Sequence, residues 1–433
     1  MLVGQGIRWA TVLYDKNKDR IIITGDFCGE KITTLEYTQE KQAAQWLLFI
    51  GIIVVGSNLR APLTSVGSLI SFIRDDLGLS NTIAGTITTI PLLAFALLSP
   101  FAPKIASKLG MEKTIFISLI VLLFGIIMRS LSGIGFLFIG TIGIGLAIAI
   151  GNVLIPGYVK MNFPFRIGLV TGFYAVFMNI FGALGSGLSV PLSNINGFGW
   201  KGSLVSWSLL TCIAIIIWIP QLRRNVDSPL TANLTTTKKG SIWRSPLAWC
   251  ITIFMGLQSL IFYTLITWLP DILRIHGYSA SAGGWMLFLM QFALIPITFI
   301  IPVVAEKMRN QKLLSGLTGG LFIVGLSGLL LGNQVLIPIA IIMIGIASGS
   351  AFSLCMMFFS LRTQDGYQAS EMSGMAQSFG YLLAAVGPAL FGALHDISGG
   401  WQLPLCMLIG LSIVIFLVAI AAGKDQVIQV NET

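Results

Sequence analysis

The chain has 433 residues, of which 55% are hydrophobic and only 10% charged. That composition excludes a soluble domain and points to membrane helices. The net charge of +9 does not point to nucleic acid, because the Lys and Arg residues are spread over short loops, as membrane topology produces.

Residues 1–44 are polar and mixed in charge, with one short β-like stretch, Ile21 to Thr24. No apolar run follows the start, so no secretory signal peptide is expected. The stretch reads as a cytoplasmic extension or an over-long gene start, and no chemistry is evident in it. From Trp46 onward twelve apolar runs follow, at about 46–72, 82–103, 113–131, 134–158, 167–191, 203–221, 246–270, 281–304, 313–332, 335–360, 371–394 and 401–422. The expected fold class is an all-α membrane protein with twelve transmembrane helices in two six-helix bundles, residues 45–222 and 245–423. A basic, Thr-rich cytoplasmic linker, 223–244, joins them, and 424–433 form a tail. With both termini inside, the inner side holds 21 of the 26 Lys and Arg and the outer side four, which supports that orientation. The five cysteines show no CxxC spacing and there are two histidines, so no disulfide framework, metal or cofactor is expected.

Arg60 is the remaining basic residue. It lies near the middle of the first run, where a charge costs on the order of 3 kcal/mol. Its depth disfavours snorkelling to the surface. The expectation is that it faces an internal polar cavity and meets an anionic or strongly polar solute. Ser57, Arg60, Thr64 and Gly67 share a helical face. Asn58 reaches the same cavity only if Pro62 unwinds the segment.

The two halves echo one another at offsets of 199 to 202 residues: Gly78-Leu79-Ser80 with Gly277-Tyr278-Ser279, Pro103 and Lys108 with Pro302 and Lys307, Thr171-Gly172 with Ser373-Gly374, and Gly199-Trp200 with Gly400-Trp401. A duplicated six-span unit suits a transporter that rocks about a central site. The offset carries Arg60 and Thr64 onto Ser259 and Tyr263, beside Gln258. Gln377 and Tyr381 stand one turn apart on the eleventh run, and Tyr381 maps onto Asn179 of the fifth. Asn152 and Gln291 complete the polar set, for each of which a helix–helix hydrogen bond is the competing role. The glycines of the fifth and eleventh runs imply close helix packing.

Pro103 to Lys113 resembles the loop signature of the major facilitator superfamily. Gly110 is kept, while Ser107 stands at the Asp position and Lys108 at the Arg position. Glu306 and Lys307 occupy the matching places in the second half. The resemblance implies a gating loop whose charges latch the outward-open state. More specific strings are Asn58 to Pro62, Gly151 to Pro156, Gly256 to Tyr263 with Trp268 to Pro270, Met375 to Tyr381, and Gly392 to Asp396. Together they resemble the cyanate transporter family of that superfamily, which includes a 2-nitroimidazole exporter branch. The resemblance covers about residues 46–422 and implies a twelve-helix carrier, the major facilitator fold, for a small solute.

The sequence has no Asp or Glu in the middle of any run. Either a rim carboxylate such as Asp271 or Asp396 takes up protons, or the solute carries its own, or transport is not proton-coupled. The expected function is secondary active transport of a small anionic or polar organic solute, cyanate-like, across the cell membrane by a monomer. An exporter of nitroimidazole-like or other drug-like compounds, with Phe262, Tyr263 and Tyr381 as aromatic walls, is the alternative. A transporter-like sensor is the reading from another class. No acid–base or nucleophilic cluster supports an enzyme.

Overall fold

A computed structural model of the chain describes residues 7–15, 20–27, 30–32, 37–79, 81–195, 197–222 and 242–428. Most of the expected linker, the end of the tail and Ser80 of the repeat lie outside the described residues. Residues 1–52 form one compact unit and 53–433 another.

The first unit holds an antiparallel sheet of β1 (Ile7–Asp15), β2 (Arg20–Phe27), β3 (Glu30–Ile32) and β4 (Tyr37–Thr38). Strand β2 is central, with Tyr14 opposite Ile21 and Asp26 opposite Lys31. The β-like Ile21 to Thr24 is its middle, where β-branched residues favour a pleated surface. The extension is therefore structured as strands, and the all-α class describes the chain from Gln39 onward.

The helices are α1 (Gln39–Asn58), α2 (Ala61–Leu77), α3 (Asn81–Leu98), α4 (Ala102–Leu109), α5 (Met111–Arg129), α6 (Ile134–Asn162), α7 (Ile167–Ser193), α8 (Gly199–Ser206), α9 (Ser208–Leu222), α10 (Pro246–Ile275), α11 (Ala280–Lys307), α12 (Lys312–Leu331), α13 (Leu336–Leu361), α14 (Gly366–Ser398) and α15 (Gln402–Ala422). Among the described residues, eleven stretches are long and apolar enough to cross a membrane, α1–α2 and α8–α9 each counting as one. The bent pair Thr89–Leu98 and Ala102–Leu109, 57° apart, makes the twelfth. These correspond to the twelve apolar runs. Several helices outlast their runs, as α10 and α14 do, because polar residues at helix ends lower the hydropathy without ending the helix.

The two halves meet most closely at the end that carries the α4–α5, α6–α7, α11–α12 and α13–α14 turns, here termed the basic end. Glycines make this possible. A methyl group added at Gly168 of α7 would stand 2.3 Å from the Pro302 carbonyl oxygen of α11. One added at Gly157 of α6 would stand 2.3 Å from the Gly366 carbonyl oxygen at the start of α14. Only a residue without Cβ allows backbones so near one another. Hydrogen bonds cross the same seam: Ser378 Oγ donates to the Ala96 carbonyl at 2.6 Å and Ser360 Oγ to the Pro156 carbonyl at 3.2 Å. Within the second half, Arg362 joins helix ends, donating from Nε to the Ala422 carbonyl at 3.0 Å and from Nη2 to Gln311 Oε1.

Candidate functional site

Pro62 decides the local geometry. It has no N–H to give to Asn58, and its ring would collide with that carbonyl in a continuous helix. The helix accordingly stops at Asn58 and restarts at Ala61, with Pro62 in the first turn, where a missing donor costs nothing. Arg60 sits in the break at φ −125°, ψ −37°, and its carbonyl accepts from the Leu63 and Thr64 amides at 3.0 and 3.1 Å. A second arginine holds the restarted helix. Arg129, fully buried in the last turn of α5, donates from Nη1 to the Pro62 carbonyl at 2.8 Å. It is one of the four basic residues assigned to the outer side, and here it turns inward. Its place inside the third apolar run was the available signal.

From the break, the Arg60 stem crosses α7 at Gly182, where an added methyl would meet its Cδ at 3.0 Å. Its Nη1 donates to Asn179 Oδ1. The amide of Asn179 is fixed in turn by a 2.8 Å bond from Nδ2 to the Ala175 carbonyl. The guanidinium carbon stands 5.8 Å from the centre of the Phe262 ring.

Arg60 borders a cavity between the halves with an empty volume of about 630 Å³, part of it open to solvent. Asn152, Asn179, Gln258, Ser259, Tyr263 and Tyr381 line it with Arg60, so seven of the eleven polar candidates come together. Among the described residues, Arg60 is the one charged side chain in that lining. Tyr174, behind Asn152, donates its hydroxyl to Asn152 Oδ1 at 3.3 Å. Gln258 Nε2 donates to Ser259 Oγ at 2.7 Å. The apolar wall includes Phe95, whose ring centre is 4.9 Å from that of Tyr381, and also Phe262, Phe352, Met178 and Met255. Apart from Phe262, none of these was singled out, since an apolar residue in an apolar run carries no distinguishing signal.

Four candidates lie elsewhere. Thr64 shares the Arg60 face but donates Oγ1 to the Gly182 carbonyl at 2.7 Å, tying α2 to α7. Asn58 stays turned away although the helix does unwind. It donates to the Val54 carbonyl at 2.8 Å and accepts from Thr211 Oγ1 at 2.7 Å. Gln291 is exposed, one turn from exposed Phe288. Gln377 is fully buried behind Asn152, donating to its carbonyl at 2.9 Å.

At the basic end, Gly110 has φ +88° in the turn from α4 to α5, a backbone state that favours glycine. Ser107 donates to the Lys104 carbonyl at 2.9 Å, near Tyr367 of the other half. Lys104 faces Glu371. Lys108 and Lys307 are exposed, whereas Glu306 lies against Gly168 of α7. A further bridge went unforeseen. The Lys160 ammonium, on α6, donates to the Ser360 carbonyl at 2.6 Å, to the Thr363 carbonyl, and to Thr363 Oγ1 at 3.0 Å.

The family model described as Major Facilitator Superfamily matches residues 48–373. The chain belongs to the major facilitator superfamily. Its relatives include the uncharacterized transporter YycB of Bacillus subtilis (strain 168), 44% identical over 92% of this chain and 98% of the relative. The 2-nitroimidazole transporter of Escherichia coli (strain K12) is 39% identical over 88% of this chain and 97% of its own. The cyanate transport protein CynX of the same organism is 27% identical over 85% and 96%. These are the two branches that the motif strings resemble. Among solved structures, the proton:xylose symporter XylE bound to 6-bromo-6-deoxy-D-glucose superposes with a TM-score of 0.68, at 10% identity, over 87% of this chain and 95% of that one. The chain is a multi-pass membrane transporter of the major facilitator fold.

Proposed function

We propose that this transporter is a secondary carrier for a small anion, cyanate-like or carboxylate-bearing, which it moves across the cell membrane by alternating access. The reading rests on one observation: among the described residues, the lining of the cavity has a single charge, the Arg60 guanidinium, and no carboxylate to neutralise it. A guanidinium presents its N–H groups as a planar fork that matches two-oxygen acceptors. Asn179 and Gln258 supply neutral amides, Tyr263 and Tyr381 supply hydroxyls, and the Phe262 and Phe95 rings fit a flat solute. The carrier acts as a monomer with both termini in the cytoplasm. In that orientation the basic end is the inner gate, and Ser107, Lys108, Gly110, Glu306 and Lys307 belong to it.

The experiment is a thermal-shift screen of the purified protein against cyanate, benzoate and 2-nitroimidazole, repeated on Arg60→Ala. An anion that stabilises the wild type and loses its effect in Arg60→Ala supports the reading. Stabilisation by 2-nitroimidazole alone, indifferent to the substitution, removes it. That outcome belongs to the second reading, export of nitro-heteroaromatic compounds. It is favoured by the 39% identity to the 2-nitroimidazole transporter and by the aromatic wall.

A further inference from the structure

We infer that this carrier is an obligatory exchanger: it changes face with an anion on Arg60 and is held back when empty. The inference rests on the anion reading above and concerns how flux is coupled.

A guanidinium keeps its proton in proteins. The side-chain acceptor of Arg60 is the neutral amide oxygen of Asn179. Among the described residues, the titratable groups around it are three phenols, Tyr263 from α10 and Tyr381 from α14 in the lining and Tyr174 from α7 behind Asn152. A protonated phenol brings no charge. Among the described residues, Asp75, Asp76, Asp271 and Asp396 lie near one set of helix ends and Glu112, Glu306, Asp365 and Glu371 near the other, and none lines the cavity.

Alternating access requires an intermediate that is sealed at both ends. In that state the Arg60 charge must be carried with little bulk water around it. With an anion seated, the pair is neutral and the fork's donors are filled. Without one, the charge is uncompensated in a poorly polarisable interior, which is strongly unfavourable. The ring of Phe262 and the single amide of Asn179 offset only part of this. A cavity carboxylate that lost its proton when the solute left would supply the missing counter-charge, and among the described residues none lines the cavity. The loaded carrier therefore crosses readily and the empty one slowly. One anion enters as another leaves, and for anions of equal charge no net charge moves.

The test uses the full chain in liposomes at pH 8, with labelled cyanate and labelled benzoate as probes and Arg60→Ala vesicles subtracted as background. Uptake into vesicles preloaded with the same unlabelled anion is expected to exceed uptake into empty vesicles by at least about tenfold. A protonophore and an imposed potential should leave the exchange rate unchanged. Asn179→Asp places a carboxylate beside the guanidinium. It is expected to weaken binding and to bring net uptake up to the exchange rate. Equal rates into empty and preloaded wild-type vesicles overturn the inference, as does accumulation in empty vesicles driven by a pH gradient. Both outcomes leave Arg60-dependent binding intact. If neither anion shows Arg60-dependent binding in the thermal-shift screen, the reading beneath fails and the inference falls with it.

Discussion

The ammonium of Lys160 on α6 is bound at the carboxyl-terminal end of α13, where it meets the Ser360 carbonyl at 2.6 Å and the Thr363 carbonyl. The last carbonyls of a helix have no intrahelical partner and carry partial negative charge. Lys160 thus closes the basic end by satisfying groups that opening would return to water.

Lys160→Met removes these bonds and keeps the stem. Hydrogen bonds to a charged group are worth about 1.5–3 kcal/mol. The population closed at the basic end should fall by about tenfold or more for each bond lost. Spin-label distances across that end, read in wild type and variant, check it. An unchanged distance distribution would show that the glycine seam alone holds the end shut.

Gly157→Ala attacks that seam. The new methyl would lie 2.0 Å from Ser370 Oγ and 2.3 Å from the Gly366 carbonyl oxygen. Backbone cannot yield as a flexible side chain can, so the basic end cannot close. The variant should insert and fold, populate the form open at that end, and retain under about a tenth of wild-type flux. The same spin-label pair and a flux assay measure both effects.

Arg60→Lys tests the fork against the charge alone. Lysine keeps the charge but not the two-point geometry, so affinity for the anion should fall by about tenfold, and by about a hundredfold in Arg60→Ala. Asn179→Ala should cost only a few-fold, because it removes a neutral partner. Titration calorimetry on the three variants gives the order.

Thr211→Val separates fold from site. It deletes the 2.7 Å bond to Asn58 Oδ1. Interhelical bonds of this kind average about 0.6 kcal/mol and reach about 1.7. The expected result is a small loss of thermal stability with anion affinity unchanged. A drop in affinity would put Asn58 back in the site.

Apolar run length made the twelve crossings legible, and depth in the membrane marked Arg60. The repeat offset then led from Arg60 to Ser259, which lines the same cavity, and from Thr64 to Tyr263, which lines it although Thr64 does not. What stayed hidden depends on rotation about the helix axis. Asn58 and Thr64 flank the break by two and four residues, and the turn that frees Arg60 points both at neighbouring helices. Lys160 and Arg129 sit at the ends of apolar runs, and packing alone shows that they reach carbonyls of other helices. The sheet of residues 7–38 showed itself only at Ile21 to Thr24, its most β-branched part.

The cavity draws its walls unequally from the two halves. On the anion reading, Arg60 and Asn179, which would select for charge, stand at the break before α2 and on α7, whereas most of the aromatic wall, Phe262, Tyr263, Phe352 and Tyr381 beside Phe95 of α3, stands on α10, α13 and α14. If that reading holds, cargo outline can drift through substitutions in the second half while the first keeps the preference for charge. A hybrid carrying the first half of this chain and the second half of a relative should inherit the relative's size limit and this chain's polarity.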